Sequence, residues 1–343
     1  MTLNNEAVKA EDLLISTSDT QLHWTNTDAE SPAIARIQAS DNFRQKAGEL
    51  LESSNNTLVL VHPSHQAIFK RFQNHLSQGS IRVASGDKQS SSVFILTEAM
   101  EASTYQIKQT NQTDTLTLRN VVGILPGKTR KQEMVIFSGH YDHLGILPAV
   151  NGDSIANGAD DDASGTTAVI ALAQYFKKLA TNERTLVFVA FTAEEIGGYG
   201  SQYFSKQMKP EKVVAMFNIE MIGKRSKFGP NTAWITGFDQ TDFGKILQKN
   251  IKGSPYQFYP DPYPEQNLFY RSDNATLARQ GVPAHSISTD EIDIDKLYHS
   301  VDDEFESLDM ASMTNVIRAI AQSARSIIAG TDTPTRINTA DLK

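Results

Sequence analysis

From residue 112 onward, apolar runs of strand length end one after another in ionisable residues, and no other feature constrains the chain so tightly. Met134–Ser138 runs into Gly139-His140-Tyr141-Asp142-His143, Thr185–Thr192 into Ala193-Glu194-Glu195, and Val213–Ile219 into Glu220. Continuous apolar runs of this length, without polar alternation, are strands covered on both faces. Helical patterns separate them, which predicts a mostly parallel sheet with a layer of helices on each side, an α/β architecture. Ser164–Leu179 opens with small residues and then sets Val169, Leu172, Ala173 and Phe176 on one face. Met310, Met313, Val316, Ile317, Ile320, Ala324 and Ile327 repeat at helical spacing and predict a C-terminal packing helix.

Ligands of open parallel sheets bind beyond the carboxyl ends of the strands. Here three neighbouring strands deliver His140, Glu194, Glu195 and Glu220 to one such edge. Gathered there, the acids would repel one another or take up protons unless a cation sat among them. Two further segments add candidates. Asn157-Gly-Ala-Asp-Asp-Asp-Ala-Ser-Gly165 holds three acids in a tight turn before a helix, and Leu297-Tyr-His-Ser-Val-Asp-Asp303 offers His299. The chain has no cysteine, so any metal must be held by imidazole and carboxylate, which suits zinc better than manganese or cobalt. More than four candidate ligands points to a metal pair ~3.5–4 Å apart activating one water. Each piece alone has a plainer reading: His140 as a core histidine, Glu194 and Glu195 as helix-capping acids, the aspartates as an N-cap.

Composition excludes other classes. The net charge of −8 and a pI near 5.5 argue against a nucleic-acid partner. No apolar run reaches the ~20 residues of a membrane-spanning helix. The opening MTLNNEAVKAEDLL lacks the basic region and apolar stretch of a signal peptide. The texture divides the chain into a polar, punctuated segment 1–111, a main domain 112–330 and a tail 331–343. In the first segment Thr57–Val61 and Val93–Thr97 read as strands, and Phe43–Leu51 and Gln66–Leu76 as helices. Nothing in the sequence sets an oligomeric state.

In order, GHYDHLG, NGADDDASG, FTAEEIGGYGS, NIEMIG and YHSVDD resemble the co-catalytic zinc exopeptidases of clan MH, the aminopeptidase family related to glutamate carboxypeptidases and glutaminyl cyclases. The resemblance covers roughly residues 120–330. It implies a three-layer zinc-exopeptidase fold and two zinc ions per chain. By position it makes Asp161 the carboxylate bridging both, with His140 and Glu220 on one zinc and Glu195 and His299 on the other. Glu194 becomes the general base and Asp142 the partner that fixes the His140 tautomer. The family's cis peptide would fall at Asp161–Asp162. The family usually has aspartate where this chain has Glu220. Residues 1–111 resemble part of the protease-associated insert of many relatives. Because relatives with this layout are mostly exported, the expected location is periplasmic or secreted, the signal peptide being absent from this chain, with a cytoplasmic location as the alternative.

The implied activity is removal of N-terminal residues from peptides. A carboxypeptidase or dipeptidase of the same fold is the alternative, for which Arg271 and Lys296 are the nearby basic candidates. A cyclase is disfavoured because that branch uses one zinc and lacks the first-strand histidine. A non-catalytic binding module is disfavoured because all five ligand positions and Glu194 are filled by competent residues. Tyr256–Arg271 is rich in aromatics and prolines and reads either as a packed irregular loop or as the lining of the substrate pocket; on the second reading Tyr263, Tyr270 and Arg271 line the pocket, with Asp273 nearby. Gly123-Ile-Leu-Pro-Gly-Lys-Thr129 is one residue short of a phosphate loop and reads as a turn. His62 and His65 read as surface-loop residues.

Overall fold

The computed structural model describes residues 1–28, 31–77 and 90–341. They form two compact units, Met1–Leu116 and Thr117–Lys343. The first holds β1 (Thr2–Leu3), β2 (Glu6–Ala7), β3 (Leu13–Ser16), β4 (Gln21–Thr25), β5 (Ala33–Ile37), α1 (Phe43–Leu51), β6 (Thr57–Val61), α2 (Gln66–Ser77), β7 (Ser92–Leu96) and β8 (Tyr105–Thr110). Its two sheets run β2-β1-β8-β4 and β3-β7-β6-β5. Every residue of β6 is buried because its side chains serve two cores in alternation. Leu58 and Leu60 meet Trp24 and Ile107, while Val59 and Val61 meet Phe43 and Phe69 of the helices.

The second unit contains β9 (Val121–Leu125), β10 (Arg130–His140), β11 (Gly145–Val150), β12 (Asp153–Ala156), α3 (Gly165–Leu179), β13 (Arg184–Phe191), α4 (Tyr199–Gln207), β14 (Val213–Ile219), β15 (Thr232–Ile235), α5 (Phe243–Asn250), β16 (Gln257–Pro260), α6 (Asn274–Ala278), β17 (Ala284–Ser288), α7 (Met310–Ser323) and α8 (Arg325–Ile328). Seven strands make one mixed sheet in the order β16-β15-β17-β14-β10-β13-β9. Its centre is parallel: β10 pairs with β13 and β14, and β14 with β17. β9 and β15 join antiparallel, to β13 and β17 respectively. Period-2 alternation sends Val135, Phe137, Leu186 and Phe217 into one core with α3, α5 and α7. Ile136, Val187, Val189 and Met216 go into the opposite core with α4 and α6. Both faces are therefore covered, as continuous apolar strands require.

The register across the central strands is fixed by an aromatic row. Phe137 faces Phe188 on one side and Phe217 on the other, with ring centroids 5.5 Å and 4.8 Å apart and planes within 24°. Such pairs add ~0.5–1.5 kcal/mol each beyond their buried area. This register brings the carboxyl ends of β10, β13 and β14 level. At the opposite end Arg184, 1% exposed, is fully paired: Nε donates to Glu133 at 2.6 Å and Nη1 to the carbonyls of Ile327 and Asp332. Residues 331–341 are anchored by this arginine and by Ile337, which is buried in the second core. Among the described residues no helix is long and apolar enough to cross a membrane.

Candidate metal centre

The three level strand ends release His140, Glu194–Glu195 and Glu220 within reach of one another. The chain turns sharply at each exit. Ala193 and Met221 adopt left-handed backbone conformations (φ 59° and 48°), as does His299 itself (φ 56°). Non-glycine residues held there cost ~1–3 kcal/mol each, and such strain gathers at functional sites.

The acidic turn before α3 sorts its aspartates by task. Asp162 is consumed structurally: Oδ1 accepts from the backbone N–H of Gly165 and Met221, and Oδ2 from that of His140. It ties the exits of β10 and β14 to the start of α3. A Cβ on Gly165 would fall 2.4 Å from that carboxylate, so only glycine fits. Asp160 Oδ1 accepts from Gly223 N at 2.7 Å, and its carboxyl is pushed up to about 6, chiefly by burial. The backbone N–H groups of Asp160 and Asp161 both donate to Asp303. That leaves the Asp161 carboxylate, in an Asp161–Asp162 pair joined by a cis peptide, to face the imidazoles.

Asp161 Oδ1 lies 3.1 Å from His140 Nε2, and its Oδ2 lies 3.3 Å from His299 Nε2. Glu220 Oε1 is 3.2 Å from His140 Nε2, and Glu195 Oε2 is 3.1 Å from His299 Nε2. Asp161 thus stands between two imidazole–carboxylate pairs. Burial pushes its pKa up, but the flanking His140 and His299 outweigh this and hold it well below the usual carboxylate range. Burial pulls His140 down, yet Glu220 and Asp161 raise it well above the ordinary imidazole value. Glu194 is pushed up to about 9 by burial and then by the Glu220 charge. Glu195 Oε1 and both ring nitrogens of His143 are buried without hydrogen-bond partners. An all-nitrogen-and-oxygen donor set, orphaned buried atoms and separations near 3 Å fit a divalent cation centre. Asp161, Glu194, Glu195, Glu220 and His299 all border one solvent-open cleft of about 580 Å³.

The sequence pattern of Peptidase family M28 matches residues 120–324, more than half of the chain. The chain belongs to peptidase family M28. Aminopeptidase YwaD of Bacillus subtilis (strain 168) is 26% identical over 196 residues, 55% of this chain and 39% of that protein. Leucine aminopeptidase 1 of Ajellomyces capsulatus (strain G186AR / H82 / ATCC MYA-2454 / RMSCC 2432) is 29% identical over 209 residues, 57% of this chain and 52% of that protein. The chain therefore spans about half or less of the length of these curated relatives. In fold it is similar to BSAP, a zinc aminopeptidase from Bacillus subtilis, with a TM-score of 0.51, 17% identity and coverage of 98% of this chain and 84% of that one. It is also similar to the Legionella pneumophila LapA aminopeptidase, with a TM-score of 0.51, 24% identity, and coverage of 61% of this chain and 55% of that one.

In this M28 chain two sequence expectations change. The Asp142 carboxylate does not hold the His140 tautomer: His140 Nδ1 meets the main-chain carbonyl of Asp142 at 2.9 Å, with Asp142 Oδ1 at 3.8 Å. The carboxylate instead accepts from the backbone N–H groups of Glu194 and Glu195 and shapes their turn. The pocket expectation divides. Arg271 borders the cleft. Tyr263, 3% exposed, packs edge-on to Trp234 beneath Lys227, and Tyr270 packs on Phe269 beneath Arg279, so neither is a cleft residue. Asp273 is buried, and burial pushes it up to about 7.

The structure adds residues that sequence reasoning passed over. Trp234, Ser272 and Tyr298 border the cleft. Ser272 Oγ donates to Glu220 Oε2 at 2.5 Å, and Tyr298 stacks on His299 at 3.9 Å. Tyr298 stood beside the histidine in the YHS motif, so adjacency was an available signal. Ser272 likewise stood between Arg271 and Asp273, whereas Trp234 lies in a four-residue strand with no sequence signal.

Proposed function

We propose that this chain is a zinc-dependent exopeptidase of peptides that removes N-terminal residues, with two zinc ions per chain. The observation that carries the reading is the convergence of His140, Asp161 and Glu220 on one side and Asp161, Glu195 and His299 on the other, each imidazole 3.1–3.3 Å from its two carboxylates, with Asp161, Glu195, Glu220 and His299 bordering one cleft. The named activities of the M28 relatives support it, as does the zinc aminopeptidase among the fold neighbours. Bound zinc would supply Lewis acidity, bringing the pKa of a water toward ~7 and polarising a carbonyl.

The chain's own residues supply the rest. Glu194 borders the cleft beside both ligand sets and is none of the paired groups, which suits it to take a proton from the attacking water and return it to the leaving amine. Its turn is held by the Asp142 carboxylate, so the base is oriented from below. Glu220 reaches His140 with one oxygen while Ser272 pins the other, which lets the longer side chain stand where aspartate is usual. The dense negative charge of the cleft suits a substrate with a free ammonium terminus. Arg271 at the cleft favours the carboxypeptidase reading. A periplasmic or secreted location belongs to the same proposal and is read by cell fractionation.

The test is a short peptide series, free or blocked at either end, incubated with zinc-loaded and chelator-stripped protein. Zinc-dependent cleavage that stops on N-terminal blocking is expected. Cleavage that stops on C-terminal blocking instead would move the assignment to the carboxypeptidase.

A further inference from the structure

His143, the second histidine of the first strand exit, has no task in the centre described above. Its side chain is 7% exposed. Its Nδ1 lies 2.7 Å from Glu195 Oε1 and 3.9 Å from Asp161 Oδ2, yet neither ring nitrogen nor Glu195 Oε1 has a hydrogen-bond partner. A nitrogen and a carboxylate oxygen this close are an ion pair when the imidazole is protonated, and two adjacent donor atoms for a cation when it is neutral. The ring has little freedom to swing away. A Cβ on Gly158, the left-handed residue (φ 63°) opening the acidic turn, would fall 2.5 Å from His143 Cγ, so the turn is packed directly against the imidazole. On its other side stands the His299 ring, 5.9 Å away and near perpendicular at 72°.

We propose that His143 Nδ1 is a further ligand of the metal held by Glu195 and His299. Resting on the metal centre proposed above, this gives the two sites different donor sets. One ion has two imidazoles, Glu195 and Asp161. The other has His140, Glu220 and Asp161. Glu195 then has a histidine at each carboxylate oxygen, His143 at Oε1 and His299 at Oε2, and the nitrogen-rich ion is the one retained longest against a chelator. A histidine that only hydrogen-bonds Glu195 from outside would orient the ligand without touching the ion, and that is the competing role to exclude.

The experiment uses the full chain labelled with nitrogen-15 histidine and loaded with cadmium-113, whose coupling to nitrogen counts bound imidazoles directly. Three histidine resonances split by cadmium are expected, from His140, His143 and His299. In His143→Asn one is lost and the affinity of one of the two metals falls more than ~100-fold, beyond the 10–100-fold that loss of an outer partner brings. Two bound cadmium ions with only two split resonances in the unaltered chain would overturn the role of His143 while leaving the metal centre intact. No bound cadmium at all would overturn both. The count in the unaltered chain does not depend on the variant folding.

Discussion

Shortening Glu220 to aspartate tests whether this chain has adapted to its longer ligand. Glu220→Asp draws the carboxylate back by about one C–C bond, ~1.5 Å. In the structure that carboxylate spans two contacts, Oε1 to His140 Nε2 at 3.2 Å and Oε2 to Ser272 Oγ at 2.5 Å. Retraction by that length takes both beyond hydrogen-bonding and shared-ligand distance. The Ser272 bond is charge-assisted, and such bonds contribute ~1.5–3 kcal/mol, which corresponds to roughly a 10–100-fold change in an equilibrium constant. Zinc affinity on the His140 side is therefore expected to fall 10–100-fold, with the His299 side changed little. Competition with graded chelators, read as zinc retained per chain, separates the two sites. Ser272→Ala is expected to reproduce a smaller part of the loss. If Glu220→Asp holds both zinc ions as tightly as the unaltered chain, the reasoning from arm length and Ser272 is refuted.

Other outcomes follow from the same geometry. Glu194→Gln is expected to lower kcat by ~10²–10⁴ with zinc content unchanged; loss of zinc would make Glu194 a ligand instead. Arg184→Met leaves Glu133 with only Arg130 and leaves the buried Ile327 and half-buried Asp332 carbonyls without this donor, and urea titration is expected to show a loss of ~2–5 kcal/mol. The pH dependence of the metal-free protein has a definite sign. Glu194 is raised from its ordinary 4.5 to about 9 and Asp290 from 3.8 to about 8, mainly by burial. Groups raised in the folded state stabilise it fully below their unfolded values and lose that contribution as pH climbs through the folded ones. The chelated protein should therefore melt at falling temperature from about pH 5 to about pH 9, while the zinc-loaded protein falls less and keeps the Asp290 part; a flat metal-free profile would contradict the buried-acid account.

The parts of the fold legible from sequence are those where one local pattern decides. Val213–Ile219 is buried on both faces throughout, so its apolar run marks the strand without ambiguity. The helices Phe43–Leu51 and Gly165–Leu179 likewise follow their periodicity. β9 escaped notice because it is an edge strand whose Val121 and Ile124 are more than 60% exposed, and β15 and β16 because four residues carry no period. β13 begins with Arg184, a charge inside a buried strand that only its remote partners Glu133 and Asp332 make tolerable. For the site, His140, Glu194, Glu195 and Glu220 were legible because each follows a strand in sequence. Asp142 was misread because sequence does not distinguish a main-chain carbonyl from a side-chain carboxylate. Tyr263 and Tyr270 follow the packed-loop reading of their segment, which sequence left open because aromatic content marks burial as readily as a binding surface.

Titrating zinc into chelator-stripped protein, with bound metal and peptide hydrolysis followed in the same samples, tests the central claim most directly. Two zinc ions bound per chain, with hydrolysis absent before metal and restored by it, is the predicted result. Full hydrolysis by the stripped protein, or no zinc bound at a stoichiometric site, would contradict it.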